Sequence, residues 1–269
     1  MSELPAQRGG AKALLLTVLG EFVLPAGGTA WTSSLVRAAS GLGISERNAR
    51  QAISRIAERG LLTSHRHGRS VQWSLTDAGT QLLKVGADRI YTFGTSTVVW
   101  DGTWIVAHCP ISETQRAVRN QLRTKLAFLG FGELSPSLVV SPHVERESEL
   151  RSTLQDLDLL ESSVVMRSTT DSTIEDHNLV DRAWDLSKLA ASYDAFRDQF
   201  VDRSAVGAEQ SFRATVELVH DWRRFPFSDP ELPTELLPDP WAGADATAVF
   251  HDRHAQWSRA AKDWFAASS

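Results

Sequence analysis

The run Leu61–His65, the basic tetrapeptide Arg66-His67-Gly68-Arg69 and the run Ser70–Leu75 together read as a glycine-tipped hairpin. Val71, Trp73 and Leu75 alternate with Gln72 and Ser74, the pattern of a half-buried strand. Gly68 permits a tight turn and a close approach to another backbone. Three helical segments precede this hairpin. The first spans about 11–23, with Leu14, Leu15, Val18, Leu19 and Phe22 at helical spacing. The second starts near Trp31-Thr32-Ser33 and ends by Gly41 or Gly43. The third, 46–59, has Ser45 as N-cap and stops at Gly60. Its apolar face is Ala49, Ile53, Ile56 and Ala57, which leaves Arg47, Asn48, Gln51, Ser54, Arg55 and Glu58 outside. Thr76 then caps a fourth helix running to about Tyr91. Three helices and a basic hairpin in this order define a winged helix-turn-helix.

The chain has 269 residues, enough for two or three domains, and 42% hydrophobic with 23% charged residues is the balance of a globular protein. Charge is unevenly spread. Residues 1–90 carry 11 Lys and Arg against 6 Asp and Glu, whereas residues 91–269 carry 17 against 27. A basic end on an acidic body points the N-terminal third at a polyanion. One cysteine, Cys109, excludes a disulfide framework and fits a reducing, cytoplasmic setting. Arg8 and Lys12 before an apolar run imitate a secretion signal, but Glu21 interrupts the run, and a buried first helix is the better reading. No stretch approaches the ~20 apolar residues of a membrane span, so no membrane partner is expected.

Breaks at Pro25–Ala30, Thr92–Thr97, Ser168–His177 and Phe225–Gly243 divide the chain. The expected units are 1–95, 96–170 and 171–269. The middle unit alternates strands and helices: Trp104–Cys109, a helix over about 113–129, Leu138–Val140, a helix from Glu147 to about Leu160, and Ser163–Met166. That order suggests a ferredoxin-like α+β sandwich. The third unit is helical. Its helices carry Leu186, Leu189, Tyr193, Phe196 and Phe200, then Phe212–Trp222, then Thr247–Phe265. Five of the ten prolines fall between Pro226 and Pro240, yet Phe225, Phe227, Leu232, Leu236, Leu237 and Trp241 anchor that stretch as ordered, irregular chain. The fold class is therefore α+β.

The third helix and the hairpin are the parts suited to double-stranded DNA. A recognition helix needs bidentate side chains near its start, and Arg47, Asn48, Arg50 and Gln51 supply them. Arg55 and Arg59 lie further along, at phosphate distance. At the tip, His65, Arg66, His67 and Arg69 face a backbone, and Ser33 and Ser34 at a helix start offer N–H groups to a phosphate. The bland alternative for any one arginine is a solvated or locally paired cation.

Longer blocks carry a resemblance. They are Leu14-Leu15-Leu16-Thr17-Val18-Leu19-Gly20-Glu21-Phe22 with Gly27-Gly28 and Trp31; Glu46-Arg47-Asn48-Ala49-Arg50-Gln51-Ala52-Ile53-Ser54-Arg55; Trp100-Asp101-Gly102-x-Trp104; Leu129-Gly130-Phe131-Gly132-Glu133-Leu134; and Leu218-Val219-His220-x-Trp222-Arg223-Arg224, followed by Asp229-Pro230-x-Leu232-Pro233. In this order they resemble the PaaX-like family of bacterial transcriptional regulators. The resemblance implies a homodimeric repressor of an aromatic-compound catabolic operon such as that for phenylacetic acid, released by an aryl-acyl-CoA such as phenylacetyl-CoA.

A CoA thioester needs cations for its phosphates and apolar walls for the rest. Two clusters qualify: Arg116, Arg119 and Arg123 on one helix side, and His220, Trp222, Arg223 and Arg224 before the proline-rich stretch. An enzyme reading finds less support. His251, Asp252 and His254 lack a partner set for a metal, and Cys109 reads as a small buried hydrophobe. There is no phosphate-binding glycine loop and no G-x-S-x-G, so neither catalytic residues nor a cofactor or metal is expected. Two rivals stay open. One is an acyl-CoA-binding or hydrolysing enzyme with a vestigial DNA-binding domain; the other is an architectural module that meets an acidic partner.

Overall fold

The computed structural model describes residues 10–95, 99–112 and 114–267. Arg8, the Ser96 and Thr97 end of one sequence break, and Glu113 at a predicted helix start lie outside these residues. In chain order the elements are α1 (Ala11–Val18), a π-helical segment (Leu19–Val23), β1 (Thr29–Trp31), α2 (Thr32–Gly41), α3 (Glu46–Glu58), β2 (Leu62–His67), β3 (Ser70–Leu75) and α4 (Asp77–Thr92). There follow β4 (Trp104–His108), α5 (Arg116–Phe128), β5 (Gly132–Ser135), β6 (Leu138–Ser141), a short 3-10 turn (Val144–Arg146), α6 (Glu147–Asp156) and β7 (Val164–Ser168). The chain ends with α7 (Thr173–Ala183), α8 (Leu186–Phe200), α9 (Ala208–Trp222), α10 (Phe225–Ser228), a 3-10 turn (Thr234–Leu236) and α11 (Ala242–Ala266).

Packing groups the described residues into two compact units. The first draws on Met1–Phe93, Phe196–Arg224 and Ala246–Ser269; the second on Gly94–Ala195 and Phe225–Asp245. The segment 171–269 is thus shared between them.

In the first unit, a three-stranded antiparallel sheet has the order β1-β3-β2. Its core takes Leu15, Val18 and Phe22 from the first helical stretch, Leu35 and Ala38 from α2, and Ala49, Ile53 and Ile56 from α3. Phe212 and Val216 of α9 and Ala261 and Phe265 of α11 complete the same cluster. The Phe22 ring lies 5.0 Å from that of Phe212 and 5.4 Å from that of Phe265. Gly41 lets this happen: a Cβ there would meet the Trp264 ring at 3.3 Å. Arg37 stacks its guanidinium over Trp264, 4.0 Å from the ring centroid, and donates to that residue's carbonyl. Burying side chains of this size contributes about 1.5–3 kcal/mol each, so the C-terminal helices hold the N-terminal fold together.

A buried polar cluster ties three elements of this unit. Tyr91 of α4 donates its hydroxyl to Glu21 in the π-helical segment, and His254 of α11 lies 3.1 Å from the Tyr91 hydroxyl and 3.0 Å from the Glu21 carboxylate. Burial, with Glu21 beside it, pushes the Tyr91 hydroxyl far above its ordinary pKa.

The second unit is built on a four-stranded antiparallel sheet of order β5-β6-β4-β7. With α5 and α6 in sequence this is the β-α-β-β-α-β ferredoxin-like arrangement. Ile105 and Ala107 alternate inward from β4 and pack on Leu122 and Leu126 of α5 and Leu150 and Leu154 of α6. On the other face, the Trp104 indole donates to Asp176 of α7 at 2.8 Å. The block Trp100-Asp101-Gly102-Thr103 is a turn: Gly102 sits at φ 82°, Thr103 N–H donates to Asp101 at 2.9 Å and the Trp100 indole donates to the Thr103 carbonyl at 3.0 Å. Asp101's carboxyl is held below its ordinary range by those Thr103 bonds. The proline-rich stretch is anchored by Phe225, Leu232 and Leu236, which are buried, whereas Phe227 is exposed. Tyr193 stacks on Phe225 at 4.2 Å and donates to Asp229 at 2.5 Å, while Arg146 donates to Glu231 at 3.0 Å.

Four elements depart from the sequence expectation. β1 and β5 have three and four residues, too short for alternation to show, and the ladder alone defines them. The break at Ser168–His177 contains the start of α7, where Ser172 accepts from Glu175 N–H at 3.3 Å and Glu175 accepts from Asp171 N–H at 3.0 Å. Ser172 followed by Glu175 has the spacing of a capping box, and the polar composition masked it. The helix from Glu147 stops at Asp156 rather than Leu160, followed by Asp158 at φ 56°.

Candidate nucleic-acid interface

α3 begins where expected. Ser45 Oγ accepts from the Asn48 N–H at 3.4 Å, and Ala49, Ala52, Ile53 and Ile56 are buried. Arg47, Asn48, Arg50, Gln51 and Arg55 are all exposed. Arg50 differs from its neighbours: it pairs with Glu46 one turn back, at 2.8 and 2.9 Å. Among the described residues, the side chains of Arg47, Gln51 and Arg55 have no protein partner, so their donors are presented to solvent or to a ligand.

The hairpin closes on two residues. His67 pairs with Ser70, leaving Gly68 and Arg69 as the turn, with Gly68 at φ 59°. Glycine at the first central position is the type II′ pattern, whose twist matches that of the strands. The first strand therefore runs to His67, two residues beyond the sequence expectation. Arg66 bends back and donates to the Gly68 carbonyl at 3.2 Å, while Arg69 is exposed. His67 sets its ring edge-on to Trp31, 5.4 Å away. Thr32 fixes the sheet to the start of α2: its hydroxyl donates to the Val71 carbonyl and accepts from the Trp73 indole, both at 3.0 Å. Residues 33 and 34 diverge. Ser33 is exposed at the start of α2, but Ser34 is buried.

The two cation clusters weighed for an effector fall in different units. In the second unit, Arg119 donates to the carbonyls of Ile111 and Ser112 at 3.1 and 3.3 Å, Arg123 pairs with Glu133 at 2.6 Å, and Arg116 is exposed. Arg119 and Arg123 border a cavity of about 260 Å³. In the first unit, Trp222 is wholly buried, stacked on Phe250 at 4.7 Å, and its indole donates to the Ile90 carbonyl at 3.2 Å. It is a core side chain with no surface left for a ligand. His220 and Arg223 are half-buried and Arg224 is exposed; burial alone holds Arg223 below its ordinary pKa. Two side chains at these places had no sequence signal: Trp184, in the cavity wall, and Thr32, under the hairpin. Among the described residues no group of three His, Cys, Asp or Glu side chains converges to hold a metal, and His254 instead serves Glu21 and Tyr91. No helix there is long and apolar enough to cross a membrane.

A helix-turn-helix with a basic β-hairpin, joined in one chain to a ferredoxin-like α+β unit, defines the class: a winged-helix protein with an additional α+β body. Sequence profiles then place it: residues 10–79 match the PaaX-like protein family, 97–180 the PaaX protein central Cas2-like domain and 184–267 the PaaX-like protein C-terminal domain. The chain belongs to the PaaX-like family. It is 29% identical over 246 residues to the transcriptional repressor PaaX of Escherichia coli strain K12, covering 87% of this chain and 76% of the relative. Uncharacterized protein Rv0674 from Mycobacterium tuberculosis has the same fold, with a TM-score of 0.67 at 24% identity over 95% of this chain and 98% of that one.

Proposed function

We propose that the protein is a cytoplasmic, homodimeric transcriptional repressor of an aromatic-compound, phenylacetate-type catabolic operon. It is a regulator and not an enzyme, and works without a cofactor. The DNA reader is the 1–95 segment, with 96–170 as the ferredoxin-like body and 171–269 as the helical segment. α3 enters the major groove of double-stranded operator DNA, with Arg47, Asn48, Arg50 and Gln51 at base edges and Arg55 on phosphate. Arg66, His67 and Arg69 meet the flanking backbone. Two readers on a dimer address half-sites one helical turn, about 10 bp, or a multiple apart. An aryl-acyl-CoA such as phenylacetyl-CoA releases the protein by favouring a geometry that no longer fits that spacing. Its contacts come from one of two clusters, Arg116, Arg119 and Arg123 in the second unit or His220, Arg223 and Arg224 in the first.

The observation that carries this reading is the row Arg47, Gln51 and Arg55: exposed, unpartnered among the described residues, and on the helix that the fold uses for groove reading. The kinship with a named repressor supports it. The test is fluorescence anisotropy on DNA from upstream of the operon, in competition with random DNA, followed by titration with phenylacetyl-CoA and phenylacetate. Sequence-specific binding relieved by the thioester is expected. Equal binding to random DNA would overturn the repressor reading, and thioester turnover would favour an enzyme.

A further inference from the structure

β1 stops short of the hairpin tip. Its ladder with β3 runs from Thr29 opposite Ser74 to Trp31 opposite Gln72. In that register Thr32 would stand opposite Val71, but the backbone has by then turned into α2. The Thr32 hydroxyl takes over and donates to the Val71 carbonyl at 3.0 Å, one further rung made by a side chain. An indole N–H can only donate, so the 3.0 Å bond from Trp73 to the same oxygen leaves the hydroxyl proton for Val71. The rung is thus fixed in direction as well as in place.

Beyond Gln72 the hairpin continues as two strands, from Val71 round the Gly68-Arg69 turn to Arg66. A two-stranded ribbon is strongly twisted and marginally stable, so its tip swings unless something holds its root. Trp31 and Thr32, adjacent in the chain, hold it there. Trp31 lies in one cross-strand row with Gln72 and His65. Its ring reaches along that face to His67, two residues on, edge-on at 5.4 Å. A single aromatic contact and a single hydrogen bond are each modest. They act, however, where the ribbon leaves the three-stranded sheet, so a small change there displaces the tip the most. That tip carries Arg69, which is exposed, and Arg66, folded back on the Gly68 carbonyl at 3.2 Å.

We propose that Trp31 and Thr32 are positioning residues of the DNA reader. They set where the hairpin tip stands relative to α3, and so whether Arg69 reaches the phosphate backbone beside the groove that α3 enters. The inference rests on the DNA-binding reading for what the tip contacts, while the clamp itself is measurable without DNA.

The experiment is a double-mutant cycle on the full-length protein, Thr32→Val against Arg69→Ala, read by anisotropy on operator and random DNA over a range of salt. Thr32→Val keeps the branched shape and removes the hydroxyl; Thr32→Ser keeps the hydroxyl. Arg69→Ala should reduce the slope of log K against log salt by about 1 in the natural protein and leave it unchanged in the Thr32→Val background. Thr32→Val alone should show that same reduction on both DNAs with its base preferences kept, and Thr32→Ser should behave as the natural protein. Without DNA, amide exchange over residues 66–71 should quicken about three- to tenfold in Thr32→Val while α3 keeps its protection. No Arg69 effect in the natural protein, a full Arg69 effect in the Thr32→Val background, or unchanged exchange at the tip would overturn the proposal. Loss of protection across α3 as well would make Thr32 a support of the whole fold and overturn it too. Should Thr32→Val fail to fold, Trp31→Leu, which leaves both Thr32 bonds in place, carries the same cycle with the same deciding outcomes. Absence of any DNA binding by the natural protein would sink the DNA reading, with the exchange result still deciding the clamp.

Discussion

α3 and α5 are both basic amphipathic helices of 13 residues, and in the sequence their arginine rows look alike. The structure treats them differently. On α3, Arg47 and Arg55 lack protein partners among the described residues, and only Arg50 is engaged, by Glu46. On α5, Arg119 is occupied by two carbonyls and Arg123 by Glu133. A row of cations is a nucleic-acid surface only when its charges are not already neutralised. That property depends on what other elements bring alongside, and charge counting along one helix does not contain it.

Engagement reaches its extreme at the two tyrosines, one in each unit. Tyr91 donates to Glu21 and Tyr193 to Asp229, and burial with a neighbouring carboxylate raises both hydroxyls far above their ordinary pKa. An acid whose folded pKa is raised contributes stability that is fully present below its unfolded pKa and is lost as pH rises toward the folded one. Stability should therefore fall steadily above about pH 10, where unfolded tyrosine ionises. Tyrosinate absorbance at 295 nm should appear only together with loss of circular dichroism. Ionisation of either tyrosine in a still-folded protein would contradict its engagement.

The free row is tested next. Arg47→Ala should weaken operator binding by about 1–3 kcal/mol and relax preference at one base pair, whereas Arg116→Ala on α5 should leave operator affinity as it was. Equal losses from the two would erase the distinction between the helices. Arg69→Ala at the hairpin turn should weaken all sequences alike and reduce the slope of log K against log salt by about 1, read from anisotropy at several salt concentrations. The smallest effect on folding stability belongs to Arg50→Ala. Its exposed pair with Glu46 contributes at most about 0.5 kcal/mol to stability, so the urea midpoint should barely move. A larger loss of operator affinity than of stability would show that Arg50 leaves Glu46 to read DNA.

Much of the first unit was legible because its signals are local. Ser45, Gly60, Thr76 and Gly68 mark element ends by chemistry that acts within four residues. Three of the four strands of the second unit and its two helices followed from strand and helix patterns in the same way, whereas β5 did not. What escaped was set by distant partners. β1 exists because Thr29, Ala30 and Trp31 pair with Ser74, Trp73 and Gln72, more than forty residues on. Trp222 looked like part of an aromatic–basic ligand cluster, but Phe250 and the Ile90 carbonyl enclose it. The neighbours of Trp184 likewise come from another part of the chain, since Gly132 makes room for it fifty-two residues earlier.

The shared core of the first unit carries a consequence for how the protein is made. Phe22 and Ile53 leave the ribosome well before Phe212, Ala261 and Phe265, which close the cluster around them. The first unit cannot finish folding until α9 and α11 have emerged. A nascent chain, or one that stops before α11, would then present no competent α3.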